Sequence, residues 1–285
     1  MKSFIRQHTP RAVWVRLSRA KYSVLDSVDS VLGRDGEMTP PRSLRLFFAG
    51  DGDFGAIGKE FVSYFQRFCN LQADHRVLDM GCGTGRMAIP LTEYLSSRGS
   101  YEGVDVVPRG IKWCSAHITP RYPNFRFHLA DIFSEAYNRT GRFRASDYRF
   151  PFDDNSFDFA FLTSVFTHLL PEGVERYLSE LHRVLRPGGR CLITWFVLNR
   201  ESEALLSQGK SSIDVPHLVG ECRIGNLLVP EEAVAHPEFK ILGYYRNAGF
   251  VVEPPVRYGS WCGRTTFLSF QDICITHKPE LPRSE

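Results

Sequence analysis

The chain has 285 residues, 43% of them hydrophobic and 24% charged, with a net charge of +3. That length and apolar content suffice for one full core with additions, and no apolar run approaches the ~18 residues of a membrane span. The seven cysteines (69, 82, 114, 191, 222, 262 and 274) are odd in number and lack C-x-x-C pairing. They argue against a disulfide frame or a zinc site and for reduced thiols in a cytoplasmic protein. The nine histidines show no metal-ligand spacing, and no apolar run sits beside the N-terminal charges, so no secretory leader is expected.

The charge is uneven. Residues 1–45 hold nine Lys or Arg against four acids, which leaves the remainder slightly acidic. Over residues 11–32, Val13, Trp14, Leu17, Ala20, Val24, Leu25, Val28, Val31 and Leu32 fall near helical spacing, with Arg16, Arg19 and Lys21 between them. This predicts an amphipathic basic helix. A lid or core-packing helix, a membrane-surface helix and a site for an acidic substrate all fit it. Residues 1–45 are read as a helical, basic cap segment and residues 46–285 as the main domain. Pro40-Pro41 interrupts any helix, residues 50–58 are turn-rich, and a helical pattern resumes over 59–68.

The run Val77-Leu78-Asp79-Met80-Gly81-Cys82-Gly83-Thr84-Gly85-Arg86 is a short apolar strand ending in an acid, then a turn through glycines at alternate positions. Helical spacing follows over 87–95. Strand, glycine turn and helix form a nucleotide-type site at the carboxyl end of a first strand. A dinucleotide loop, G-x-G-x-x-G, would need a third glycine where Arg86 stands. Asp105 ends a second strand about twenty residues on, where such folds place the carboxylate that accepts ribose hydroxyls. Asp131, before Ile132, ends a third. An insertion over 133–151 exceeds the few residues that a strand–helix connection needs. A fourth strand spans 156–163 and leads to Ser164-Val165-Phe166-Thr167-His168. A helix over 173–185 stops at Arg186-Pro187-Gly188-Gly189, and a fifth strand covers 191–196. A second insertion, 198–235, expected with the first to form a substrate cap at the carboxyl strand ends, precedes a helix over 237–248 and strands over 251–256 and 267–276.

The G-x-G-x-G loop after Asp79, with the stretch from Ser156 through the Arg186-Pro187-Gly188-Gly189 stop to Ile193, resembles the class I S-adenosylmethionine-dependent methyltransferases over residues 58–197, with a weaker tail to 277. The resemblance implies a Rossmann-like α/β fold: a doubly wound, seven-stranded mixed sheet with helices on both faces, its last strand antiparallel. It implies S-adenosylmethionine as cofactor, held by Asp79, Gly81, Cys82, Gly83, Gly85, Asp105, Val106, Asp131, Ile132 and Thr163. The glycines would pass beneath the methionine part, Asp131 would take the adenine amino group, and Ile132 would pack on the ring. Residues 50–58 would be a connector or a contact to the methionine end.

Catalysis of this kind is mostly placement. His168, after the fourth strand, is the candidate base, with a hydrogen-bonded structural histidine as the alternative. Tyr148 and Trp261 are candidate substrate contacts, and no metal is expected. The activity implied is methyl transfer to oxygen or nitrogen of a small-molecule acceptor: a metabolite, sugar or lipid precursor. The alternatives are an RNA methyltransferase and a non-catalytic cofactor-binding partner subunit. The core lacks a basic groove and the Asn/Asp-Pro-Pro-aromatic tetrad, which disfavours nucleic acid. The intact acids and glycine loop disfavour a decayed site.

Overall fold

A computed structural model describes residues 38–49 and 52–280 together with Tyr22, Leu25 and Asp26; for residues 46–49 it describes the backbone alone. The helix expected over 11–32 lies outside the described residues except at those three, which are helical. Asp26 caps helix α1 (Arg42–Ala49), its carboxylate accepting from the main-chain N–H groups of Arg42 at 2.6 Å and Ser43 at 3.1 Å.

Helix α2 spans Phe54–Cys69. The sequence predicts a turn through position 58, and the structure corrects this. Asp53 accepts from Ala56 N at 2.9 Å and starts the helix there. Gly58 then serves packing: a Cβ on it would lie 2.3 Å from the Arg86 carbonyl oxygen, so its bareness lets α2 rest on the glycine loop.

The main sheet is built from β1 (Arg76–Met80), β2 (Ser100–Asp105), β3 (Phe125–Leu129), β4 (Phe157–Leu162) and β5 (Leu185–Trp195). Helices α3 (Ala88–Thr92), α4 (Pro108–His117) and α5 (Pro171–Val184) connect them, with a 3₁₀ turn at Phe166–His168 before α5. After β5 come β6 (Val197–Leu198), α6 (Arg200–Ser207), β7 (His217–Val219), β8 (Cys222–Ile224), a 3₁₀ turn at Pro230–Glu232 and β9 (Val234–Pro237). Helix α7 (Glu238–Asn247), β10 (Val251–Arg257) and β11 (Asp272–His277) complete the described chain.

The seven-stranded order is β10-β11-β5-β4-β1-β2-β3. Strands β1 to β5 pair in parallel, and β11 runs antiparallel to both β5 and β10. This is the doubly wound Rossmann-like sheet. Strand order reverses beside β1, between β2 and β4, and a ligand crevice opens outside the carboxyl ends there. Side chains alternate across the sheet. Leu78, Ala160 and Leu162 pack under α5 and α7, whereas Val77, Phe159 and Phe161 pack under α2 and α4. Burial on both faces explains why these strands read as nearly unbroken apolar runs.

Two predicted elements change shape. Residues 198–235, read as a capping insertion, hold most of a second sheet, β6-β9-β8-β7, with β7 and β8 joined through Gly220-Glu221. The last strand begins at Asp272 rather than near 267, because the carboxylate of Asp272 turns inward to accept from Gly259 N and Val197 N, each at 2.7 Å. Among the described residues no helix is long and apolar enough to cross a membrane, and no His/Cys/Asp/Glu group could hold a metal ion.

The contact at Gly58 yields a stability prediction. In Gly58→Val the new side chain meets main-chain atoms of Arg86, so α2 must move off the loop. A cost of about 1–3 kcal/mol is expected for such overpacking, read as a lower urea midpoint. An unchanged midpoint would show that α2 does not rest on the loop.

Candidate functional site

A cavity opens at the carboxyl ends of β1, β2 and β4, and the glycine loop forms one of its walls. Gly81 and Gly83 lie on that wall at φ 93° and 56°, in the left-handed region that side chains resist. A Cβ at Gly81 would lie 2.4 Å from Val165 Cγ2. Cys82 is also on the wall and is buried, and burial pushes its thiol well above the usual range. Gly85 turns the other way. A Cβ there would meet Ile118 Cδ1 at 2.9 Å and Cys114 Sγ at 3.3 Å, so this glycine packs the loop against α4 and lies off the cavity wall.

Asp105 shapes the loop. Its Oδ2 accepts from Gly83 N and its Oδ1 from Val107 N, both at 2.8 Å. Burial raises its carboxyl to about 6, with the N–H donors pulling the other way. Asp79 is 1% exposed, and burial drives its carboxyl to about 8 although Tyr101 donates to Oδ2 at 2.5 Å. Oδ1 of Asp79 and Oγ1 of Thr84 are buried without a hydrogen-bond partner, and both residues belong to the cavity wall. An unpaired buried acceptor is costly and marks a place where a donor from a ligand would be satisfied. Val106, Ile132 and Thr163 also line the cavity, and Phe54 brings the start of α2 to it.

Asp131 is placed differently from expectation. It lies outside the cavity wall, with Oδ1 accepting from Arg142 N at 3.0 Å and Oδ2 from Arg142 Nε. These hydrogen bonds hold its carboxyl below the usual carboxylate range. Both oxygens are thus engaged by the 133–151 insertion.

His168 reaches the cavity from the 3₁₀ turn after β4. Its Nδ1 lies 2.8 Å from the Glu231 carbonyl oxygen, which can only accept, so Nδ1 carries the hydrogen. Nε2 is then the acceptor, and the Tyr137 hydroxyl donates to it at 3.4 Å. Tyr137, Phe133 and Ser134 from the first insertion and Glu231 from the second line the same end. Ser164 completes it, at φ 61°, an unusual value for a non-glycine residue. Its N–H donates to Thr194 Oγ1 at 2.7 Å and its hydroxyl accepts from Gln271 Nε2 at 3.0 Å. Sequence reasoning did not single out Phe133, Ser134, Tyr137, Ser164 or Glu231 as site residues. The only hint was that two insertions leave the carboxyl edge of the sheet.

The two expected substrate contacts lie elsewhere. Trp261 is fully buried beneath the second sheet, where its Nε1 donates to Asp272 Oδ2 at 2.6 Å and its ring packs on Phe196. An indole N–H needs such a partner when buried, and here the partner is in the core. Tyr148 packs between Phe143 and Phe150 and lies off the cavity wall.

Residues 78–193 match the family model described as a methyltransferase domain. The phthiotriol/phenolphthiotriol dimycocerosates methyltransferase of Mycobacterium leprae is 34% identical over 114 residues, covering 40% of this chain and 35% of that protein. The 2-phytyl-1,4-naphtoquinone methyltransferase of Nostoc punctiforme is 28% identical over 125 residues, covering 44% of this chain and 48% of that protein. The chain thus spans between about a third and about half of these relatives' length. The crystal structure of PH0226 protein from Pyrococcus horikoshii shares the fold, with a TM-score of 0.58 at 16% identity over 84% of this chain and 97% of that one. Residues 78–193 are therefore similar to a methyltransferase domain, carried on the seven-stranded fold shared with that solved structure.

Proposed function

We propose that this protein transfers the methyl group of S-adenosylmethionine to a hydroxyl or amine of an uncharged, largely apolar small molecule, with His168 taking the proton. The observation that carries the reading is the imidazole: its Nε2 is held as an acceptor at one end of a cavity whose other end is the glycine loop and Asp105. Bound there, S-adenosylmethionine supplies a methyl group on a sulfonium.

The residues present fit that cofactor. The unpartnered Oδ1 of Asp79 would accept from its ammonium group, and the bare backbone at Gly81 and Gly83 leaves room for the methionine part. Each Asp105 oxygen takes one protein N–H and keeps a lone pair for a ribose hydroxyl. Val106 and Ile132 offer apolar surface to the adenine ring. His168 would accept the proton of the acceptor hydroxyl at Nε2 as the new carbon–oxygen bond forms, while the Glu231 carbonyl steadies the imidazolium at Nδ1.

Acceptor charge follows from the wall. Asp79, Asp105 and Glu231 line it, and among the described residues Arg86 is the single Lys or Arg there. Carboxylate or phosphate acceptors would meet like charge near His168, whereas Phe133, Tyr137 and Leu169 suit an apolar scaffold. The naphthoquinone in the name of the Nostoc punctiforme relative is consistent with such an acceptor. An RNA acceptor would require a basic groove, which this wall does not offer. Labelled S-adenosylmethionine with matched phenols, neutral and carboxylated, tests the reading. Transfer to the neutral member is expected; exclusive use of the carboxylated one would overturn it.

Protonation of Asp79 makes the cofactor assignment measurable. With its folded pKa raised to about 8, the carboxyl is mostly protonated at pH 7 in the free protein. Its contribution to stability is therefore present at low pH and lost as pH rises toward 8. Pairing with an ammonium ionises it, so S-adenosylhomocysteine should bind with release of close to one proton at pH 7. Affinity should fall about tenfold per pH unit below 8 until the bound-state pKa is reached. Calorimetry in two buffers of different ionisation enthalpy reads the proton directly, and identical enthalpies would remove Asp79 from the site.

Asp105→Ala should weaken S-adenosylhomocysteine binding about tenfold to a hundredfold, the value of hydrogen bonds to a charged group. Wild-type affinity in that variant would sink the ribose assignment. His168→Ala should lower kcat ~10²-fold or more while leaving S-adenosylhomocysteine affinity unchanged. Retained kcat would make the histidine structural.

A further inference from the structure

We infer that Glu231 is a positioning residue that couples closure of the cap over the cavity to the tautomer of His168; the inference rests on His168 being the proton acceptor. Glu231 meets Nδ1 of the imidazole directly and the loop that carries Tyr137 through its carboxylate. Its main-chain oxygen takes the Nδ1 hydrogen of His168 at 2.8 Å, across 63 residues of sequence. Its carboxylate Oε2 takes the Ser134 hydroxyl at 3.0 Å and the Glu135 N–H at 3.3 Å, across 97 and 96 residues.

The second arm leads back to the same imidazole. Residues 134 and 138 close a tight loop, with the N–H of each donating to the carbonyl of the other at 2.9 Å. Tyr137 sits on that loop, and its hydroxyl meets Nε2 at 3.4 Å, with the rings edge to face at 5.4 Å. Anchoring Ser134 therefore places Tyr137 over the basic nitrogen, while the Glu231 carbonyl fixes which nitrogen is basic. From the opposite side the buried His236 donates Nε2–H to the Leu169 carbonyl at 3.0 Å, so the turn bearing His168 is held at its far end too.

Two consequences follow. With the cap seated, Nε2 is the acceptor and is shielded by Tyr137, so an entering hydroxyl replaces the tyrosine hydroxyl rather than water. With the cap released, the 230–232 turn loses its hydrogen bonds to Ser134 and Glu135 and the Nδ1–H arrangement loosens. The base is thus fully oriented only when the first insertion covers the cavity.

The test uses the full-length protein labelled with ¹⁵N-histidine, comparing wild type with Glu231→Ala, Glu231→Gln and Ser134→Ala. Every variant keeps the main-chain carbonyl at position 231, so a purely local contact would leave the tautomer unchanged. The expected wild-type signal is a single Nδ1–H tautomer for His168. In Glu231→Ala it should become a mixture, with amides at Ser134, Glu135 and Asn138 exchanging ~10-fold faster or more, as for a lost hydrogen bond to a charge. Glu231→Gln keeps a neutral acceptor and should fall between, which also guards against a variant that fails to fold. Ser134→Ala should move both readouts in the same direction. An unchanged tautomer in folded Glu231→Ala or Glu231→Gln overturns the coupling. These readouts need no turnover: absence of methyl transfer by wild type would count against the proposed function and leave the coupling to be judged on the spectra.

Discussion

One carboxylate at the end of β2 organises the site. Asp105 accepts from Gly83 on the loop after β1 and from Val107 at the entry to α4, and so ties the turns after two neighbouring parallel strands together. Its position is dictated by the register, in which Asp79 of β1 lies opposite Gly103 of β2 and Met80 opposite Val104, leaving Asp105 beside the start of the loop. The glycines, the cavity wall and the orientation of α4 follow from that clasp. A buried carboxylate is tolerable only when donors meet it, and here the backbone supplies them.

Three aspartates at three strand ends show how environment separates groups of one chemistry. Asp105 has two backbone donors and rises to about 6; Asp79, with one phenol and an unmet oxygen, rises to about 8. Asp131 stands at the surface against Arg142 and shifts the other way. The cavity accordingly has a floor of buried acids, one of them mostly neutral at pH 7. Its opposite end is aromatic and apolar around a single oriented imidazole. Burial sets the first part, and hydrogen-bond bookkeeping at Glu231 sets the second.

Much of this was legible in the chain. Asp79, the glycine loop and Asp105 lie within about thirty residues and obey local rules: a strand ends, glycines turn, and an acid follows at the next strand end. The parallel core was legible because strands buried on both faces read as apolar runs. What escaped was long-range. Tyr137, His168 and Glu231 meet across 31 and 63 residues through two insertions whose lengths say nothing of their paths. Trp261 looked like a pocket aromatic until Asp272 was seen to hold its N–H in the core. Residues 54–58 looked like a loop because glycines suggest turns, yet one capping aspartate and a close approach to Arg86 made them a helix. Asp131 carried the expected residue type at the expected strand end, yet both its oxygens bond Arg142 and it lies off the cavity wall.

The measurement that bears most directly on this account is a crystal structure of the protein with S-adenosylhomocysteine. The account predicts the ligand's amino group within hydrogen-bond distance of Asp79 Oδ1, its ribose hydroxyls on Asp105, and its sulfur on the side of the cavity facing His168 Nε2. A ligand bound with Asp79 Oδ1 still unpartnered, or with its sulfur turned away from His168, would contradict it.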